Sequence, residues 1–197
     1  MYTARRFLYQ TAIFLCASFH TLHGNAATPN HLANTTVLIV RHAEKPVEGS
    51  SLTPQGFKRA EAYAHYFAPF EMDGKLLEIN ALYAASDTKN SVRPRLTLEP
   101  LSQALHLPID QHYASDAPED LASALATTNH GNHVLIAWRH KKIAALIQAL
   151  GGSPAQLLPE DKWPDQVYDW VVLLHFDAQG KLDHQALIHE PNLLPSR

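Results

Sequence analysis

Arg41-His42 and Arg139-His140 are two arginine–histidine pairs, and each follows directly on an apolar run. Val37-Leu38-Ile39-Val40 precedes the first, and Val134-Leu135-Ile136-Ala137, with Trp138, precedes the second. A neutral imidazole nitrogen is a competent nucleophile toward phosphorus. A second imidazole can donate to a phosphoryl oxygen, where charge develops during transfer. The planar fork of arginine matches phosphate oxygens and holds its charge at any relevant pH. Arg93, at the start of a helical stretch, offers a third guanidinium. Two imidazoles and up to three guanidiniums brought to one place would suit phosphoryl transfer.

That gathering depends on the elements around the pairs. Short apolar runs rich in β-branched residues suit strands buried on both faces. In open α/β sheets, ligands bind beyond the carboxyl ends of the strands. If the two strands are parallel neighbours, His42 and His140 project at one sheet edge. Thr53-Pro54 opens a helix expected to run to about Phe70, with Thr53 as N-cap and Pro54 in the first turn. Ile79 to Ala84 reads as a strand, Ser86 to Val92 as a loop and Arg93 to Leu105 as a helix. His106 to Ile109 is a weak strand. Asp116-Ala117-Pro118-Glu119 has the form of a capped helix start, with Asp116 as cap and Glu119 three residues on. That helix is expected to end near Ala126. Ile143 to Leu150 reads as a helix closed by Gly151-Gly152. Tyr168 to Phe176 and Leu182 to Ile188 flank Asp177-Ala178-Gln179-Gly180 as a hairpin. The alternation of strands and helices predicts an α/β fold with a mainly parallel sheet.

Size and charge narrow the function classes. The 197 residues suit one domain, and a hydrophobic share of 46% with 18% charged is an ordinary globular balance. A formal charge of -3 supplies no basic field, which argues against nucleic acid as a partner. Residues 1–27 read as a secretory signal peptide: Arg5 and Arg6, then a mostly apolar Phe7 to Phe19, then small residues at Gly24-Asn25-Ala26. Cleavage is expected after Ala26 or Ala27, which leaves residues 28–197 as the domain and implies export, with a periplasm as destination. No later stretch is long and apolar enough to span a membrane. Cys16 is the single cysteine and lies in the leader, so the mature chain would have no disulfide, thiol chemistry or thiolate metal site.

The first strand and its Arg41-His42-Ala43-Glu44-Lys45 continuation resemble the strand and Arg-His-Gly-type signature of the histidine phosphatase superfamily, also called phosphoglycerate mutase-like. Leu52-Thr53-Pro54-Gln55-Gly56 with Arg59-Ala60 is similar to that family's Leu-Thr-x-x-Gly helix start. Tyr83-Ala84-Ala85-Ser86 and Arg93-Pro94-Arg95-Leu96-Thr97 look like its Ser…Arg-x-x-x-Thr element, and Val134 to His140 like the strand carrying its second histidine. The order of all four is kept over residues 36–152. The resemblance implies a three-layer α/β/α sandwich and a phosphomonoester hydrolase with a small phosphorylated substrate, needing no metal or other cofactor. It implies His42 as the phosphorylated nucleophile, Arg41 and Arg93 as phosphate-binding arginines and His140 as the second pocket histidine. A non-catalytic module binding phosphorylated ligands, or a phosphomutase, would use the same pocket; export argues against a glycolytic mutase.

The chain departs from the family pattern at several places. Ala43 replaces the usual glycine, and the Ser86–Arg93 loop is longer than usual, which puts Ser86 in question. Arg95 competes with Arg93, although the spacing to Thr97 favours Arg93. Arg139 either adds a charge to the pocket or faces solvent. The family's proton donor falls between the Arg93 helix and the His140 strand, where Asp116, Glu119 and Asp120 lie; Asp116 and Glu119 also make sense as a capping pair, and Glu44 is a further candidate. His130 and His133 have a metal-compatible spacing but lie in a turn with no carboxylate beside them. Trp163-Pro164 and Tyr168 to Trp170 are a substrate-facing edge or, as aromatics beside a strand more often are, core.

Overall fold

Val37 to Val40 have no exposed surface, and their side chains alternate between two cores. Val37 and Ile39 pack with Val134, Ile136, Leu121 and Ile143, whereas Leu38 and Val40 pack with Leu135, Tyr63, Leu98 and Leu101. A strand whose alternate side chains both meet apolar layers is the middle of a sandwich. The computed structural model describes residues 30–194, so the leader expected over residues 1–27 lies outside the described residues.

The elements run β1 (Thr36–Arg41), α1 (Pro54–Tyr66), β2 (Phe70–Met72), β3 (Lys75–Leu77), β4 (Ala81–Ala84), α2 (Arg93–Leu105), β5 (Ile109–Asp110) and α3 (Pro118–Thr127). Then come β6 (His133–Trp138), α4 (His140–Ala149), the short α5 (Pro154–Leu157), a 3-10 turn (Pro159–Asp161), β7 (Trp170–Phe176) and β8 (Leu182–His189). The main sheet has the order β5-β4-β6-β1-β7-β8. The first four are parallel, and β7 and β8 are antiparallel. Residues of α1 and α2 belong to one core and residues of α3 and α4 to the other, which makes the expected α/β/α layering.

Local chemistry accounts for the boundaries. The Thr53 hydroxyl accepts the Gly56 N–H at 3.0 Å and starts α1. The helix stops at Tyr66, short of the expected Phe70, because Pro69 cannot continue it. Phe70 instead enters a small β2–β3 ribbon turned at Asp73-Gly74, which the sequence reading did not anticipate. α3 departs from its expected start. Its N-cap is Ala117, with no side-chain cap bond, so Asp116 and Glu119 do not form the capping pair. Pro118 in the first turn supplies the preset backbone that an Asp116 cap would have reinforced. α4 begins at His140, not Ile143, so His140 opens a helix two residues past the end of its strand. Gly151, at φ 82°, then closes α4, with the Gly152 N–H on the Ile147 carbonyl at 2.8 Å.

Candidate active site

β1 and β6 are adjacent and parallel, with Arg41 opposite Trp138, so both arginine–histidine pairs leave the same sheet edge. The His42 N–H bonds the Trp138 carbonyl at 2.9 Å and carries the ladder one residue beyond β1. The two imidazoles meet edge to face, with ring centroids 5.7 Å apart.

His42 is 2% exposed. Its Nδ1 lies 2.8 Å from the Ala43 carbonyl oxygen, an acceptor, so Nδ1 carries the proton and Nε2 keeps its lone pair. Burial, then the charges of Arg41, His140 and Arg93, push its pKa down to about 3, despite the upward pull of the Ala43 bond. The ring is therefore neutral at pH 7. The next residues are held from two helices. The Ala43 N–H donates to the Thr97 hydroxyl at 2.8 Å, and Thr97 in turn donates to the Arg93 carbonyl of α2 at 2.8 Å. The Glu44 carbonyl accepts the Thr53 N–H at 2.9 Å, ahead of α1.

Arg41 is 1% exposed, and burial lowers its pKa to about 10, which leaves it charged. Its Nη1 donates to the carbonyls of Asp165 at 2.9 Å, Val167 at 2.8 Å and Pro164 at 3.2 Å. Its guanidinium carbon sits 3.8 Å from the Tyr168 ring centroid. Nε and Nη2 are buried without a protein partner among the described residues. Buried donors of a cation left unpaired are costly, and native structures keep them where a ligand is bound.

Arg93 donates through Nε to the Ser51 carbonyl at 2.9 Å and through Nη2 to the Gly49 carbonyl, and its charge reaches His42. Arg95 turns away, paired with Asp87 at 2.8 Å and with Glu99. Arg139 donates to the Thr88 hydroxyl at 3.0 Å and the Ser86 carbonyl at 3.3 Å, which ties it to the loop beside the site; burial first, then the Arg139 charge, lowers the pKa of Arg93. The Ser86 hydroxyl is spent on the Gln111 carbonyl at 2.6 Å.

His140 is buried, and both its ring nitrogens lack a hydrogen-bond partner among the described residues. Burial first, then Arg41, lowers its pKa to about 4. Asp165 Oδ1 lies 2.8 Å from its Nε2, a charge contact outside hydrogen-bond alignment. None of the carboxylates proposed from sequence occupies this place. Asp116, Glu119 and Asp120 are exposed, and Glu119 lines an outer groove beside Leu32, Ser123 and Gly151. Glu44 is committed to Arg59, which contacts it at 2.9 Å and holds Glu190 at 2.9 Å on its other side. The Tyr63 hydroxyl closes that network on Glu190 at 2.6 Å.

Asp165, the Arg41–Tyr168 stack and the Glu190 network escaped the sequence reading. The last two join residues more than a hundred positions apart, and Asp165 comes to His140 through an irregular loop, so neither spacing nor motif carries the signal. Of the aromatic edge, Trp163 is buried against Trp170 at 5.7 Å, the Pro164 carbonyl accepts from Arg41, and Tyr168 is a platform for Arg41. His130 is engaged by the Leu125 and Gly131 carbonyls and His133 by the Glu78 carbonyl. Among the described residues no cluster of three potential metal ligands forms.

No protein-family model and no curated protein sequence matches the chain. Solved structures do match. Phosphoglycerate mutase from Plasmodium falciparum superposes with a TM-score of 0.51 at 15% identity, over 83% of this chain and 95% of that one. This chain has the phosphoglycerate mutase fold. An Escherichia coli protein described as an alpha-ribazole-5′-P phosphatase gives 0.50 at 13% identity, over 76% and 94%. A mutant phosphoserine phosphatase from Entamoeba histolytica, bound to phosphoserine, gives 0.49 at 12%, over 78% and 94%.

Proposed function

We propose that the chain is a histidine phosphatase that hydrolyses a phosphomonoester through a phosphohistidine on His42. The observation that carries this is the state of His42: buried, neutral, with Nδ1–H fixed on Ala43 and Nε2 free, beside the unpaired donors of Arg41. A neutral nitrogen lone pair attacks phosphorus in line, forming the N–P bond as the P–O bond to the leaving group breaks. Arg41 and Arg93 would hold the phosphoryl oxygens with charge present before the reaction begins, and the His140 ring would face the same oxygens. Water then attacks phosphorus and returns the electron pair to Nε2. These cations supply the charge that a metal would otherwise bring, so turnover is expected to persist in chelator.

Export through cleavage of residues 1–27 remains part of this proposal, and no helix among the described residues is long and apolar enough to cross a membrane. The mass of the mature protein from the cell envelope should match a chain beginning at Ala27 or Thr28; a full-length cytoplasmic chain would contradict export. The function is tested by phosphate release from a panel of aryl, sugar and amino-acid phosphomonoesters. The expected result is turnover that disappears in His42→Ala. Binding of these esters without release would leave a phospho-ligand module and refute the enzyme.

A further inference from the structure

Asp165 is the carboxylate in contact with His140, and four observations set it apart. Its Oδ1 is 2.8 Å from His140 Nε2. Its own carbonyl accepts from Arg41, so its backbone is tied to the proposed phosphate-binding arginine. It also lines a cavity of about 760 Å³ with Lys141, Trp163 and Pro164. Finally, both nitrogens of buried His140 are otherwise unpartnered.

We propose that His140 and Asp165 act as a dyad that gives the leaving oxygen its proton and takes one back from the hydrolytic water. This rests on the phosphatase reading above. The groups facing the dyad are the cationic Arg41, Lys45 and Lys141 and the neutral His42 ring, and in their field His140 is neutral and Asp165 ionised. A phosphate dianion bound against them offsets that positive field and favours a proton on His140, with Asp165 as its counter-ion. In the first step His42 Nε2 bonds phosphorus, the P–O bond breaks, and the dyad proton passes to the departing oxygen to give the free alcohol. In the second step the water oxygen bonds phosphorus, the P–N bond breaks with its electron pair returning to Nε2, and a water proton returns to the dyad. His140 touches the reacting group; Asp165 acts through it as a positioning residue.

The test compares wild type, Asp165→Asn and Asp165→Glu on an aryl phosphate and an alkyl phosphate across pH. Asp165 is exposed at 63% of its side chain, and its backbone bond to Arg41 survives substitution, so the variants should fold. The alkyl ester needs protonation to leave and the aryl ester hardly does. Asp165→Asn is expected to lose roughly 100-fold in kcat on the alkyl ester and less than about 10-fold on the aryl ester. Its pH profile should lose a limb, and Asp165→Glu should recover part of the alkyl rate. Equal losses on both esters, no loss, or an unchanged pH profile would overturn the dyad while wild-type turnover and its loss in His42→Ala still upheld the phosphatase. Absence of wild-type turnover would overturn both.

Discussion

At the scale of single residues, the structure separates arginines that the sequence presents as near equals. Arg93 and Arg95 are two positions apart on α2, about 200° around a helix, and so face opposite ways. Arg93 reaches the loop carbonyls at Gly49 and Ser51 and the field of His42, whereas Arg95 is consumed by Asp87 and Glu99. Arg93→Ala should therefore lower kcat/KM by roughly 100-fold or more, since it removes a charge-assisted contact to a developing dianion. Arg95→Ala breaks only partly exposed pairs and should change kcat/KM less than about 3-fold. Steady-state kinetics on one substrate decides this, and the reverse order would mean that the pocket arginine is misassigned. The meeting of His42 and His140 at one sheet edge was legible from residue type and position, because histidine at the end of a buried strand is a local pattern. Asp165 was not, because its relation to His140 is set by a loop that returns to the site only after α4, α5 and the 3-10 turn.

At the scale of elements, the strands of the main sheet and most helices were legible because their causes are local. The alternating cores of β1, the Thr53 cap and the Gly151 stop are written in adjacent residues. What escaped were contests between neighbours. Pro69 ended α1 early, and α3 took Pro118 in place of an Asp116 cap. The helix α1 also sets the site. A Cβ on Gly56 would stand 2.5 Å from the Glu44 carbonyl oxygen and 3.0 Å from its nitrogen, so α1 presses directly on the chain two residues past His42. Gly56→Ala should destabilise the fold by about 1–3 kcal/mol through overpacking. It should also lower kcat more than it raises KM, because the displaced backbone carries His42, the proposed nucleophile. Urea unfolding and steady-state kinetics on the same sample check both; an alanine variant with unchanged stability and rate would show that the helix stands off.

At the scale of the whole molecule, buried titratable groups on different elements give stability two opposed slopes. Burial holds the folded pKa of His42 near 3 and of His140 near 4, against an ordinary 6.5. As pH falls below 6.5 the unfolded chain gains protons that the folded chain refuses, so stability declines toward acid. Glu190 works the other way. Burial raises its carboxyl from 4.5 to about 7, against the opposing pulls of Tyr63 and Arg59. As pH rises from 4.5 to 7 the folded chain keeps a proton that the unfolded chain has lost, and stability declines toward neutrality. Denaturant midpoints from pH 4 to pH 7.5 should show Glu190→Gln removing the second slope and leaving the first. Identical profiles for variant and wild type would mean that Glu190 titrates normally. No motif signals this network, since it joins the end of β8 to α1 and to the chain after His42.

The central claim is that His42 carries the phosphoryl group, and rapid quench with a labelled phosphomonoester tests it most directly. A label on the peptide containing His42, labile in acid and stable in base, forming and decaying at the rate of turnover and missing in His42→Ala, is the predicted result. Turnover by wild-type protein with no label on His42, or with label on another residue, would contradict it.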